Sequence, residues 1–122
     1  MANTFKVVTF AAEPNAAGTE YVVYTTAGST TTIILGLLLC NIHTSQVTAT
    51  VRLISDTSKT GATGNADNGT SVLVKDIPIP AGSSVEIMAG NKIVLETTDQ
   101  IDIDCSVADK LSGTMSIMEI TA

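Results

Sequence analysis

Thr30-Thr31-Thr32-Ile33-Ile34-Leu35-Gly36-Leu37-Leu38-Leu39-Cys40-Asn41 is the stretch on which the fold turns, because it is apolar on both faces of a strand. Successive side chains of a strand point to opposite faces, so a strand with one face in water alternates apolar with polar residues. Here Leu35, Leu37 and Leu39 share one face, and Ile34, Gly36, Leu38 and Cys40 share the other. Both faces need a cover. One belongs to the core. The other is expected to meet either the N-terminal strands or a neighbouring subunit, with Ile34, Leu37 and Leu38 as candidate interface residues. Gly36 has no side chain and lets a cover approach closely. The apolar run at 33–40 is far shorter than the roughly 20 residues that span a bilayer.

Downstream, residues 41–45 are a short connection. Residues 46–54 then alternate, with Val47, Ala49, Val51 and Leu53 inward and Thr48, Thr50 and Arg52 outward. The short linker predicts a hairpin with the opening stretch. Residues 55–70 are rich in Gly, Asn, Thr and Asp and carry no apolar anchor, which marks a long polar loop of the functional or mobile kind. Asn68-Gly69-Thr70 matches a glycosylation sequon, read here as chance occurrence. Further strands are expected at 71–77, 84–88, 92–96, 101–107 and 114–120, with Pro78 and Pro80 ending the first of these.

Upstream, residues 4–10 place Phe5, Val7 and Thr9 on one strand face and Lys6, Val8 and Phe10 on the other. Residues 20–26 form a second strand. Residues 1–26 are read as these strands or as an N-terminal arm, and the start of the chain lacks the pattern of a secretory signal. Eight or nine short strands, frequent turn signals and no helical stripe predict a single all-β domain over 1–122. The expected form is an antiparallel, jelly-roll-like β-sandwich, with an antiparallel barrel as the other arrangement.

Twelve acidic against six basic residues give a formal charge of −6. That argues against a nucleic-acid partner and against adsorption to an anionic membrane. Cys40 and Cys105 read as buried free thiols of a protein made in a reducing cytosol, or else as a disulfide joining facing strands. His43, the only histidine, reads as a turn residue, since no nucleophile elbow or close-spaced metal set accompanies it. Gly61, Gly64 and Gly69 lack the Gly-Lys-Ser/Thr of a phosphate loop. Asp99, Asp102 and Asp104 are weak candidates for Ca²⁺, because Asp102 and Asp104 share a strand face beside Asp99 in a turn. The competing reading is a solvated strand face whose acids discourage edge pairing. No acid, base and nucleophile set can be assembled, so no enzyme and no cofactor are expected. The absence of Trp and the scarcity of aromatics leave sugar binding without support.

The order Ile34-Leu-Gly-Leu-Leu-Leu-Cys-Asn41, Val47-Thr-Ala-Thr-Val-Arg-Leu53, Ile79-Pro-Ala-Gly-Ser-Ser84, Lys92-Ile-Val-Leu95, Asp99-Gln-Ile-Asp-Ile-Asp-Cys-Ser106 and Ser116-Ile-Met-Glu-Ile120 resembles small virion structural proteins of tailed bacteriophages, notably those of marine bacteria and cyanobacteria. The resemblance covers about residues 30–120. It implies a non-enzymatic β-sandwich that assembles on a particle. Capsid decoration (cement) proteins come first, as homo-oligomers, often trimers, bound to the major capsid protein. Neck, tail or baseplate subunits come second. A sugar- or Ca²⁺-binding module is the reading from another class. The resemblance implies synthesis in a bacterial cytoplasm and residence on the virion, with the capsid surface ahead of the tail. It supplies no catalytic residues.

Overall fold

The computed structural model describes residues 2–55 and 69–121. Nine strands follow one another: β1 (Ala2–Glu13), β2 (Tyr21–Thr25), β3 (Thr30–Asn41), β4 (Val47–Ile54), β5 (Thr70–Ile79), β6 (Ser84–Glu86), β7 (Ile93–Leu95), β8 (Gln100–Cys105) and β9 (Leu111–Thr121). No helix forms among the described residues. Thr, Val and Ile dominate the strands because a β-branched side chain packs well on a pleated surface and is stiff in a helix.

The strands make two antiparallel sheets. One runs β1-β9-β3-β6, with β7 also paired to β3, and the other runs β2-β8-β4-β5. Both β6 and β7 pair with β3, so they act as two halves of one interrupted strand. Apart from the steps β4 to β5 and β6 to β7, the chain crosses from one sheet to the other at every connection. This wrapped order is that of a jelly-roll-like sandwich, as the strand count predicts. The first and last strands pair along their length, from Ala2 opposite Thr121 to Glu13 opposite Leu111.

The core lies between the sheets. Ile34, Leu37, Leu39, Met115 and Ile117 face in from one sheet, and Val47, Val51, Ile101, Ile103 and Cys105 from the other. All of them are at most 1% exposed. Phe10 closes one margin. It lies over Gly113 of β9, where an added Cβ would run into the Phe10 ring, and it tilts against Tyr21 at 5.3 Å between ring centroids.

Two expectations about the opening stretch need correction. The first is its face assignment. Ile34 pairs with Ile117 and Gly36 with Ser116, so Leu35 is an extra residue, a β-bulge. A one-residue insertion in a period-two pattern exchanges the faces. Thr30, Thr32 and Ile34 are buried before the bulge, and Leu37, Leu39 and Asn41 after it. Ile34 and Leu37 therefore share the core rather than opposite faces, and Leu38 alone of the three candidate interface residues points out, at 42% exposure.

Glu86 stabilises the bulge. Its Oε2 accepts the amides of Leu37 at 2.8 Å and Met88 at 3.0 Å, while the Ile87 amide donates to the Leu37 carbonyl at 2.8 Å. A Cβ on Gly36 would sit 3.0 Å from Glu86 Oε1. The close approach that Gly36 allows is thus made by a side chain of the same molecule.

The second correction is the hairpin. β3 and β4 do not pair; they lie in different sheets. Asn41, fully buried, explains the crossing. Its amide donates to the carbonyls of Ser45 at 2.9 Å and Ile79 at 2.8 Å, and its Oδ1 accepts the His43 amide at 2.8 Å. These bonds satisfy buried backbone groups that a two-residue turn would have paired within one ladder.

Candidate assembly face

Facing outward from the five-stranded sheet is a surface that no described part of the chain covers. Phe5 of β1 lies opposite Met118 of β9, Met118 opposite Ile33 of β3, and Ile33 opposite Val94 of β7. These four side chains make an apolar row across four strands. Phe5 is 72% exposed and Val94 56%, while Met118 and Ile33 are half-buried. Val7, at 64% exposure, and Ile120 extend the row along β1 and β9. Isolated exposed apolar residues are ordinary, but a contiguous set on a flat sheet marks a surface that meets something.

The opening stretch contributes Thr31, Ile33, Leu38 and Cys40 to this surface. Of the two covers expected for it, the N-terminal strands are not the one: β1 lies at the edge of the same sheet, and β2 belongs to the other. The residues that sequence reading missed are Phe5, Ile33, Val94 and Met118. For Phe5 and Val7 a signal was present, since residues 5–10 put two apolar side chains on each strand face.

Charge is segregated between the two sheets. From Asn3 to Thr9 on β1, and on β9, β3 and β7, the outward positions carry no charged side chain. Glu86, at the β6 margin, is held to backbone amides as described. The four-stranded sheet carries a charged cluster instead. Arg52 contacts Asp104 at 2.7 Å and Glu20 at 3.5 Å. Asp102, opposite Arg52 on β8, is 2% exposed, and its Oδ1 has no hydrogen-bond partner. Burial, then the nearby Glu20 carboxylate, raises the Asp102 pKa, and Arg52 opposes the rise. The hydrogen bond that Arg52 donates to Asp104 raises the Arg52 pKa.

A second polar group joins the two sheets at one end of the sandwich. The Tyr24 hydroxyl donates to Glu119 Oε2 at 2.6 Å and lies 2.8 Å from Thr32 Oγ1, and Lys6 Nζ meets Glu119 Oε1 at 2.7 Å. Burial and the Glu119 carboxylate push the Tyr24 pKa up to about 12. Hydrogen bonds from Lys6 and Tyr24 hold the Glu119 carboxyl below its usual value.

The three aspartates of the Ca²⁺ reading do not converge. Among the described residues no three His, Cys, Asp or Glu side chains gather as a metal site. Asp99 accepts the Glu96 amide at 3.0 Å within its turn, and Asp104 is paired with Arg52. Nor is this strand a solvated face that blocks an edge, since β8 lies between β2 and β4 and Asp102 is buried. Cys40 is half-buried, Cys105 is buried, and both are free thiols rather than a disulfide. His43 is a half-buried turn residue. Residues 56–68, most of the long polar loop and the Asn of its sequon, lie outside the described residues.

No protein-family profile matches this chain, and no curated protein matches it in sequence. Solved structures do match. A chain of the infectious bursal disease virus T13 particle aligns with 96% of this chain at TM-score 0.52 and 10% identity. A chain of the Gx strain of that virus aligns with 95% at TM-score 0.51 and 14% identity. This chain spans about a third of each, 30% and 32%. A chain from Bacillus endospore appendages, which are disulfide-linked pili, aligns with 98% of this chain and over 87% of its own length, at TM-score 0.47 and 18% identity. At such identities the likeness shows the fold alone. The fold class is that of a small antiparallel β-sandwich, shared with part of these chains of the virus particle.

Proposed function

We propose that the chain is a non-enzymatic structural subunit of a virion, and more narrowly a capsid decoration protein of a tailed bacteriophage, which self-associates and binds the major capsid protein. The observation that carries this reading is the uncovered apolar row Phe5, Met118, Ile33 and Val94 on the outer face of the five-stranded sheet, with Glu86 at the margin of that face. A catalytic or ligand-binding module concentrates convergent polar groups in a concave site. Here the charged groups are committed to holding the sandwich, and the exposed outer face of the five-stranded sheet carries an apolar row among Thr, Ser and Asn side chains. The capsid-like fold and the sequence resemblance point the same way. A subunit of the neck, tail or baseplate would have the same kind of face.

Copy number per particle is the test. Particles purified from a host expressing this chain, analysed by quantitative mass spectrometry, are expected to carry it in hundreds of copies. About a dozen copies would move it to the tail, and its absence from purified particles would refute a virion role.

A further inference from the structure

Resting on the assembly reading, we infer that the outer face of the five-stranded sheet packs against the same face of a second copy of this chain, related by a twofold axis. Three observations select this occupant and this geometry.

The first is charge. Each subunit carries −6, and the outer face of the four-stranded sheet holds Glu20, Asp102 and Asp104 around a single Arg52. Two copies meeting through that face would set like charges together. The outward positions of β9, β3, β7 and β1 from Asn3 to Thr9 are uncharged, and the charge at their margin is Glu86 of β6, bound to the Leu37 and Met88 amides. Copies that meet there place their acidic faces on opposite outer surfaces, as far apart as the sandwiches allow.

The second is area. Three strands about 36 Å long and the three-residue β7, about 10 Å, at a spacing of about 4.8 Å give a footprint of about 570 Å². A stable interface buries about 800 Å² on each partner, so the contact has to use the whole of this face and the residues flanking it.

The third concerns the sheet edges, the usual alternative route by which copies of a β-protein join. Each is blunted. β6 and β7 are three residues each. β5 has register shifts against β4 and carries Lys75 and Pro78, and β2 is five residues long with a shift of its own. β1 is long, but it turns Lys6 inward, paired with Glu119, and ends at Pro14. Short strands, bulges, prolines and inward charges are devices that prevent edge-to-edge pairing. The edges are defended and the apolar face is not. A face-to-face contact of two sheets is the remaining arrangement, with the strands of the two copies about 30° apart. Identical patches meeting each other make an isologous, closed contact.

Sedimentation and light scattering on the purified chain test this. The native chain is expected to run at twice its 12.6 kDa mass at about 100 μM. The double variant Phe5→Lys/Val94→Lys, which changes only exposed positions of the face, is expected to run as a monomer with an unchanged circular dichroism spectrum. Val72→Lys, exposed on the opposite sheet, is expected to remain a dimer. A native monomer, a native trimer, or a dimer that survives the double variant would each overturn the inference. A double variant that loses its strand signal would be replaced by Val94→Lys alone, which must still weaken association at least tenfold. Failure here leaves the virion reading standing, since particle incorporation is measured separately. Absence from particles would leave the dimer standing.

Discussion

Glu86 Oε2 accepts the backbone amide of Leu37 at 2.8 Å, and this contact holds the bulge at which β3 exchanges its buried and outward faces. The carboxylate also takes the Met88 amide, so one side chain links the bulge to the interruption between β6 and β7. Glu86→Ala is expected to cost about 1 kcal/mol, less than the ~1.5–3 kcal/mol of a buried hydrogen bond to a charged group, because Glu86 is exposed and water replaces part of the bond. Glu86→Gln keeps an acceptor and should recover part of the loss. Urea denaturation measures both, and a Glu86→Ala midpoint equal to that of the native chain would remove the role.

The exchange of faces makes neighbouring leucines behave in opposite ways. Leu37 is fully buried and Leu38 is 42% exposed. Leu37→Asp places an unpaired carboxylate in the core and is expected to cost more than about 5 kcal/mol, enough to unfold a domain of this size. Leu38→Asp should stay within about 1 kcal/mol of native stability while weakening self-association. Far-UV circular dichroism separates the two; unfolding by both would contradict the bulge.

Gly113 has no room for a side chain, because Phe10 occupies the space a Cβ would take. Gly113→Ala is expected to destabilise by about 1–3 kcal/mol through overpacking. Phe10→Leu in the same chain should relieve part of this, giving a coupling of at least about 0.5 kcal/mol in a double-mutant cycle. Additive losses would show that the two residues do not compete for one space.

Asn41 serves three backbone groups at once. Asn41→Leu leaves the Ser45 and Ile79 carbonyls and the His43 amide without their partner, and a loss of about 3 kcal/mol or more is expected. Asn41→Asp should fail as well, since a carboxylate cannot donate to two carbonyls. Thermal melts of the two variants are the measurement, and native-like melting of Asn41→Asp would count against the assigned amide orientation.

The Tyr24–Glu119–Lys6 group gives the fold a pH dependence at both extremes. Tyr24 is raised from 10.0 to about 12, so above pH 10 the unfolded chain loses a proton that the folded chain keeps. Stability therefore falls as pH rises from 10 through 12. Glu119 is lowered from 4.5, so its contribution is present above that value and disappears as pH falls through the folded pKa. Glu119→Gln should flatten the acid limb and move the Tyr24 phenolate titration, followed by ultraviolet absorbance, back toward 10. An unmoved titration would show that the carboxylate does not act on Tyr24.

The strands were legible in the sequence but their ends were not: alternation over 46–54 and 101–105 leaves little choice, whereas β1 extends over 2–13, β9 begins at Leu111, and β5 runs on through Pro78, expected to end it, which pairs with Thr48 at the sheet edge. The sandwich class followed from their number. The parity of β3 was not legible. A bulge at Leu35 rests on Glu86, some fifty positions away, and nothing local in a run of leucines marks it. The same is true of the β3–β4 crossing, since a five-residue linker suits a hairpin equally well until the Asn41 side chain is seen to bind Ile79. The assembly face was half legible. Its central strand was singled out by apolarity on both faces, but its widest exposed residues, Phe5 and Val94, become a row only when β9 and β3 bring them into register. The aspartate cluster misled because spacing along a strand shows which side chains share a face and not which charges on neighbouring strands neutralise them.

Ala2 lies directly opposite Thr121 across one ladder, about 5 Å apart. A linker of a few glycines from Thr121 to Ala2 would therefore disturb neither sheet, as a circular permutant of residues 2–121 requires. The same proximity suits grafting. Inserted into a surface loop of an unrelated host, residues 2–121 would enter and leave at one point, extending the host by a whole sandwich while demanding almost no gap in its own backbone.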